Sequence, residues 1–251
     1  MCSKVLNSRF RCPDCAVKLF CFPWAGGGAV FYANWGKTLQ PNIEVHGVCL
    51  TGRENRFKDP VPANIDEVVE EIVSAIQKET QDTPFAFWGH SFGSHMALVT
   101  ALRLKTTSGR EPVRLFVSGA SPPHSAQRKV TIDVRDYTDE QFIEFLRKIG
   151  GTPPEILDNK DYISLFLPPL KADFDMLYQI GAKIGSSCAR ELTCPVDAFD
   201  GEADNQHDLD AWADVTTGPL KKTFFPGGHF YFKDDSSSMR LLNIFSETLM
   251  L

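Results

Sequence analysis

A serine stands between two glycines in the stretch PFAFWGHSFGSHMALV, where Gly89, Ser91 and Gly93 follow the pattern G-x-S-x-G. The residues before Gly89 (FAFW) predict a short buried strand, and the residues from Phe92 onward predict a helix. A sharp turn between a strand and a helix is the setting in which a serine hydroxyl is exposed as a nucleophile. A serine hydroxyl is weak by itself, so this chemistry also requires a base, an acid and donors for an oxyanion.

Six histidines could supply the base. His229 follows FFPGG, a strand end and a double-glycine loop, so we expect it at the carboxyl edge of a parallel sheet, where ligands bind. Serine, acid and histidine in that chain order are also typical of α/β-hydrolases. His229 is therefore the predicted base. The other histidines give weaker signals: His46 lies within a strand, His90 and His95 flank the serine turn, and His124 and His207 lie in loops.

The acid should follow a strand between the serine and the histidine, because its role is to orient the imidazole. The segment VDAFDGEAD offers Asp197, Asp200 and Asp204. Asp197 lies within the strand, so its direction is wrong for a loop acid. Asp200 ends the strand and Asp204 lies in the loop beyond it, and spacing alone does not decide between them. Glu202 and Asp208 are weaker candidates.

Two backbone N–H groups should stabilise the oxyanion. The first is the N–H of Phe92, the residue after the serine. The second should come from the glycine-rich loop FPWAGGGAVF, in which Trp24 or Ala25 could direct an N–H toward the site. This loop lacks the pattern G-x-x-x-x-G-K-[ST], so a nucleotide site is not favoured.

Short apolar segments that alternate with helical segments predict the scaffold around these residues. This alternation is typical of an α/β fold with a mostly parallel sheet and helices on both faces. One helix begins at Ile65, where apolar residues recur every three or four positions and Asn64 is a suitable N-cap. The predicted strands are Val17–Phe22, Ile43–Leu50, Phe85–Gly89, Val113–Ala120, Val196–Gly201 and Lys221–Gly227.

Residues 122–187 interrupt this alternation, because no part of them reads as a strand. One of their helices begins after Thr138, which has capping-box spacing to Gln141. A single crossover between strands needs far fewer residues, so the segment predicts a helical lid inserted into the fold. Ordinary crossover helices are the alternative.

Composition excludes several classes of protein. A net charge of -6 argues against a general nucleic-acid binder, and no apolar run approaches the ~18 residues of a membrane span. Residues 1–16 contain no signal-peptide core and are predicted to be an N-terminal extension. Seven scattered cysteines indicate reduced thiols and hence a cytosolic protein. Cys12 and Cys15 have C-x-x-C spacing, but no second ligand pair or following helix supports a zinc or redox site.

Taken together, these residues resemble the type II thioesterases, and most of all the medium-chain acyl-carrier-protein hydrolases of animal fatty acid synthase. The resemblance runs from about Val17 to the C-terminus. It rests on LFCFPWAGGG, TGREN, PFAFWGHSFGSHMAL, GGTPPEIL, DVTTG and FPGGHFY, which occur in this order along the chain.

The resemblance implies an α/β-hydrolase domain over residues 17–251 with a lid at about 122–187. It implies hydrolysis of a fatty acyl thioester on the phosphopantetheine arm of an acyl carrier protein or fatty acid synthase. Ser91, Asp204 and His229 would be the catalytic residues, since GEAD matches the family's Gly-x-x-Asp. The oxyanion donors would be the N–H groups of Ala25 and Phe92. No metal or cofactor is expected, and we expect a monomer that docks transiently.

One departure from the family pattern concerns Phe92, since methionine is common there. Its N–H is unaffected, but a larger and stiffer ring could alter the chain-length preference. We expect the acyl chain to contact apolar side chains, although many of them could instead pack the lid onto the core. The predicted substrate-binding residues are Trp24, Phe142, Phe145, Leu146 and Phe174, with Ile149, Leu157, Phe166, Leu167 and Leu177 as further lid candidates.

Two basic clusters could dock an acidic carrier protein: Arg53, Arg56 and Lys58, or Arg128, Lys129, Arg147 and Lys148. Two alternative functions stay open. The same catalytic residues could cleave oxygen esters as an esterase or lipase, and the enzyme could edit stalled chains on a polyketide or peptide synthase.

Overall fold

The computed structural model describes residues 4–128, 132–150, 154–185 and 190–250. The strands in these ranges are Leu6–Asn7 (β1), Val17–Phe22 (β2), Ile43–Val48 (β3), Phe85–His90 (β4), Arg114–Ser118 (β5), Val196–Gly201 (β6) and Leu220–Phe225 (β7). The α-helices are Ala29–Ala33 (α1), Gly36–Leu39 (α2), Ile65–Thr80 (α3), Phe92–Ser108 (α4), Asp139–Ile149 (α5), Pro154–Leu157 (α6), Lys160–Ile184 (α7) and Asp235–Leu249 (α8).

The seven strands form one sheet in the order β1-β3-β2-β4-β5-β6-β7. β1 runs antiparallel to β3, and every other neighbouring pair is parallel. This confirms the predicted α/β class and each of the six predicted strands, with small differences at their ends. Because the strands are parallel, their carboxyl ends meet at one edge, where β4, β6 and β7 deliver the candidate catalytic loops.

Side chains alternate between the two faces of the sheet. In β2, Phe20 and Phe22 pack with the apolar residues of α3 and α4, whereas Leu19 and Cys21 pack with those of α1, α2 and α8. Strands buried on both faces read as continuous apolar runs, as VKLFCF does. The predicted N-cap is also confirmed, because Asn64 Oδ1 accepts the N–H of Asp66 at 2.9 Å.

Three helices, α5 to α7, lie between β5 and β6 and pack around an apolar cluster of their own. The predicted capping box at the start of α5 is confirmed, because Thr138 and Gln141 exchange side-chain to backbone hydrogen bonds of 2.8 and 3.2 Å. α7 also contacts α3 and α4 of the core. The motif GGTPPEIL is described only in part, since residues 151–153 lie outside the described ranges, and the assignment of these helices as a lid stays a prediction.

The described part of the N-terminal segment packs against the edge of the sheet. β1 pairs with β3, and Val5 accepts the N–H of Cys49 at 2.7 Å. Cys12 and Cys15 are free thiols, and burial raises the pKa of Cys15, which opposes a thiolate role there. Within the described residues, the helices are too short or too polar to cross a membrane.

Candidate active site

Ser91 occupies a sharp turn between β4 and α4, with a backbone φ of +55°. Such a φ is strained for a residue with a side chain and is characteristic of functional sites. The neighbouring glycines are required by close backbone contacts. A Cβ on Gly89 would lie 2.2 Å from the carbonyl oxygen of Gly93, and a Cβ on Gly93 would lie 2.1 Å from that of Phe22.

Ser94 holds this turn from beneath, a role that the sequence motif does not reveal. Its hydroxyl donates to the carbonyl of Gly89 at 2.8 Å and accepts the N–H of Ser118 at 3.0 Å. The N–H of Ser91 donates to the carbonyl of Ser118 at 2.7 Å. The turn is therefore tied to β5 as well as to its own strand.

His229 and Asp204 form a hydrogen bond of 2.7 Å between Nδ1 and Oδ2. Burial acts to raise the pKa of Asp204, but the hydrogen bonds from His229 and from the N–H of Asn205, together with the nearby histidines, outweigh it and lower that pKa. An ionised carboxylate can only accept, so Nδ1 of His229 donates to Asp204, and in the neutral imidazole this leaves the lone pair on Nε2. This is the tautomer that a general base needs.

A second histidine–carboxylate pair lies beside the first. His207 Nδ1 is 2.9 Å from Asp200 Oδ2 and 3.9 Å from Asp204 Oδ2, and its ring lies 6.2 Å from that of His229. No motif surrounds His207 in the chain, so its place in the site was not predicted. Asp204, His207 and His229 also bring three potential metal-ligating atoms within 4.8 Å of one another.

The histidines next to the serine turn are enclosed by protein. Burial lowers the pKa of His90 and of His95 well below the usual value, so both rings are neutral. His90 Nδ1 lies 2.9 Å from the hydroxyl of Ser118, and its ring packs 4.6 Å from that of His229. His90 therefore packs against the ring of His229 and supports it from the protein interior.

A cavity of about 460 Å³ brings the candidate groups together. Ser91, His229, Ala25 and Phe92 all line it, as the oxyanion prediction requires. The loop that carries Ala25 turns sharply, because Gly27 N–H donates to Trp24 O at 2.8 Å and Gly26 has a φ of +75°. Positive φ at the third position is the mark of a type II turn, and glycine adopts it without strain.

The structure separates the predicted substrate-binding residues into two groups. Trp24 and Phe174 line the cavity. Phe142, Phe145 and Leu146 are buried in the apolar cluster of α5 to α7 and are absent from the described cavity wall, so their role as substrate contacts stays a prediction. Helical spacing gave them a buried face, and that face packs against α7. The wall residues contributed by α5, its C-cap residue and α7 are Ile149, Gly150, Phe166, Leu170, Phe174 and Leu177.

Two of the three residues of the first predicted docking cluster are buried, whereas the third, Lys58, is exposed. Arg53 and Arg56 are 7% and 5% exposed, so they cannot present charge to a partner protein. Arg53 pairs with Asp173 at 2.7 Å and Arg56 with Glu71 at 2.8 Å. The short charged segment that contains these two arginines was predicted to be a solvent-exposed docking face, but both side chains are buried.

The second cluster is dispersed. Arg147 and Lys148 are exposed. Arg147 pairs with Asp158, which follows α6, and Lys148 pairs with Glu144 of α5. Arg128 instead lines the cavity and donates to the carbonyl of Leu177 at 2.5 Å. Lys129 lies outside the described residues.

The model of the thioesterase domain family matches residues 17–248. The chain belongs to the thioesterase domain family. Among thioesterases of known sequence, it is 40% identical to the S-acyl fatty acid synthase thioesterase, medium chain, of Rattus norvegicus, over 99% of this chain and 94% of that protein. It is 35% identical to the gramicidin S biosynthesis protein GrsT of Aneurinibacillus migulanus, over 89% of this chain and 86% of that one.

Solved thioesterases share the fold. Human thioesterase 2 superimposes with a TM-score of 0.76 at 32% identity and covers 94% of this chain, which covers 96% of that one. The mostly parallel seven-stranded sheet with its helices is thus the α/β-hydrolase fold of type II thioesterases.

Proposed function

We propose that this protein is a serine thioesterase that releases medium-chain fatty acids from the acyl carrier protein of fatty acid synthase. The observation that carries the proposal is the His229–Asp204 hydrogen bond of 2.7 Å and the strained Ser91, with His229 and Ser91 on the wall of one largely apolar cavity. The similarity to animal fatty acid synthase thioesterases supports the fatty acyl substrate.

In the proposed mechanism, Nε2 of His229 takes the proton of Ser91 as the hydroxyl attacks the thioester carbonyl. The N–H groups of Ala25 and Phe92 stabilise the oxyanion. The tetrahedral intermediate expels the pantetheine sulfur, which takes the proton from His229, and leaves an acyl ester on Ser91. A water then attacks this ester and gives a proton to His229, which returns it to the Ser91 oxygen as the fatty acid leaves. These steps require no cofactor beyond the pantetheine arm of the substrate.

Turnover of acyl-pantetheine thioesters of increasing chain length tests this proposal. We expect thioester cleavage with a maximum at medium chain lengths, and a loss in kcat of at least about 10⁴-fold in Ser91→Ala. A labelled fluorophosphonate should modify the wild type and spare Ser91→Ala. Faster turnover of matched p-nitrophenyl esters than of thioesters would favour an esterase, and no thioester cleavage at any length would refute the proposal.

Editing of stalled chains is a second candidate, favoured by the similarity to GrsT and to the thioesterase PikA5 of Streptomyces venezuelae. The two functions differ in the acyl group that is released. Competition between medium-chain and acetyl groups on one carrier protein distinguishes them, because termination requires selection for the longer chain and editing does not.

A further inference from the structure

The motif TGREN follows β3, outside the proposed catalytic steps. Its arginine, Arg53, forms a two-point ion pair with Asp173 of α7, with Nη1 to Oδ2 at 2.8 Å and Nη2 to Oδ1 at 2.7 Å. Asp173 is fully buried and Arg53 is 7% exposed. The pair therefore joins the loop after β3 to the helical layer in the interior of the protein.

This ion pair also holds the glycine-rich loop that carries Ala25. Asp173 Oδ2 accepts the N–H of Gly26 at 2.7 Å, and Arg53 Nη1 donates to the carbonyl of Gly27 at 3.0 Å. Arg53 Nε donates to the carbonyl of Thr51 at 3.2 Å. Both ions thus also bond backbone groups, two of which belong to one tight turn.

The next residue of the motif acts on the same loop. Glu54 Oε1 accepts the N–H of Val30 at 2.9 Å, at the start of α1. Gly28 packs so closely on this carboxylate that a Cβ there would lie 2.2 Å from Oε1. Side chains from TGREN and from α7 therefore fix the loop from Gly26 to Val30.

The constraint falls next to the proposed oxyanion donor. In the turn from Trp24 to Gly27, the peptide between Ala25 and Gly26 is the central one, and its N–H is bound by Asp173. That peptide and the one that carries the Ala25 N–H meet at the Ala25 Cα. Loss of the Asp173 bond would free the central peptide to rotate, and the backbone at Ala25, which carries the proposed donor, would lose that restraint.

We propose that Arg53 and Asp173 are positioning residues for the oxyanion site and that they couple helix α7 to catalysis. Because Asp173 lies on α7, the Ala25 N–H is aligned only while this part of the helix is seated on the loop. Leu170, one turn earlier on α7, packs against Gly26 and lines the cavity. The same face of α7 therefore contacts both the proposed acyl site and the loop that carries Ala25. This inference rests on the proposed function.

Asp173→Asn tests the coupling, since it keeps the side-chain volume and removes the charge that holds Arg53. We expect kcat for acyl-pantetheine to fall about 10- to 100-fold, part of the loss seen when an oxyanion donor is removed, with KM within about threefold. The rate constant for fluorophosphonate labelling of Ser91 should fall in parallel, because the phosphonyl oxygen uses the same donors. Active-site titration corrects both rates for misfolded protein.

Asp197→Asn is the matched control. Asp197 is 1% exposed and pairs with Arg114, but both residues lie near the amino ends of β6 and β5 and do not line the described cavity. This variant should have a lower melting temperature than the wild type. Its corrected kcat should stay within about twofold of the wild-type value, as expected for a substitution far from the site. An equal loss of kcat in both variants would show that general destabilisation explains the effect.

A double variant, Arg53→Met with Asp173→Leu, covers the case in which Asp173→Asn does not fold. Apolar replacement of a buried ion pair preserves packing and often restores stability. We expect a folded protein that is still slow in turnover and labelling, because nothing then holds Gly26. Wild-type kcat and labelling rate in this variant would overturn the inference. If the wild type is labelled but cleaves no thioester, the proposed function fails, and the labelling rates still test the coupling.

Discussion

Asp200 and Asp204 each hold a histidine at the edge of the sheet. The four groups form two neighbouring pairs, Asp204 with His229 and Asp200 with His207, at 2.7 and 2.9 Å. His229 also packs on the neutral ring of His90, 4.6 Å away. The pairing leaves Asp204 as the carboxylate that can orient the proposed base.

We predict that Asp204→Asn lowers kcat by about 10³- to 10⁴-fold, because an amide no longer fixes the imidazole in the tautomer of a base. Asp200→Asn should change kcat by less than about threefold, since its partner His207 has no step in the proposed mechanism. Both substitutions preserve volume, so each variant serves as the control for the other. Steady-state kinetics on one acyl-pantetheine would contradict the assignment if Asp200→Asn were the slower variant.

The residues of this site differed in how far the sequence could predict them. Ser91 and His229 stand in short motifs whose backbone setting is local, so their pattern was informative. Spacing did not separate Asp200 from Asp204, because both lie at the end of β6 within reach of the sheet edge. His207 was missed because its partner is seven residues away, and neither residue belongs to a recognisable motif.

At the scale of elements, the fold was predictable where periodicity and caps are local, as in α3 and α5. Periodicity predicts that one face of a helix is buried, but it does not predict which other element packs against that face. Phe142 and Phe145 illustrate this, because their apolar face was predicted to contact the acyl chain, with packing inside the helical segment as the alternative, and in the structure it packs on Phe174. Inward-facing Arg53 and Arg56 show the same limit for charged segments.

Phe174 separates the cavity from this aromatic cluster, with ring centroids 5.4 Å from Phe142 and 5.6 Å from Phe145. We predict that Phe174→Ala deepens the cavity and shifts the maximum of kcat/KM toward longer acyl chains. Phe142→Ala is the control, since it removes a ring from the same cluster but not from the described cavity wall.

Both alanine variants should lose about 3–5 kcal/mol of the free energy of unfolding, as large buried rings do. Only Phe174→Ala should change the chain-length profile, measured on acyl-pantetheines at a temperature where both proteins are folded. Identical profiles for the two variants would mean that α7 does not limit the depth of the acyl site.

At the scale of the whole molecule, a buried carboxylate joins the N-terminal segment to the sheet. Glu44 is 1% exposed; it lies 2.8 Å from Nε2 of His46 and 3.4 Å from Nζ of Lys18, and it accepts the N–H of Cys12. Burial acts to raise the pKa of Glu44, but the hydrogen bonds from His46 and Cys12, together with nearby charges such as that of Arg11, outweigh it and lower the pKa to about 2.

A pKa that folding lowers from 4.5 to about 2 means that Glu44 stabilises the native state as a carboxylate. This contribution is complete above pH 4.5 and is lost as the pH falls from there to about 2. We predict that Glu44→Gln lowers the free energy of unfolding by about 1–3 kcal/mol at neutral pH, because charged donors lose their acceptor. The difference in the free energy of unfolding between Glu44→Gln and wild type should shrink as the pH falls from 4.5 to about 2.

Urea unfolding across a pH series measures this difference. The control is Glu144→Gln at an exposed position, which should show a small difference from wild type at every pH. A Glu44→Gln effect that is constant with pH would mean that packing, and not charge, ties the N-terminal segment to the sheet.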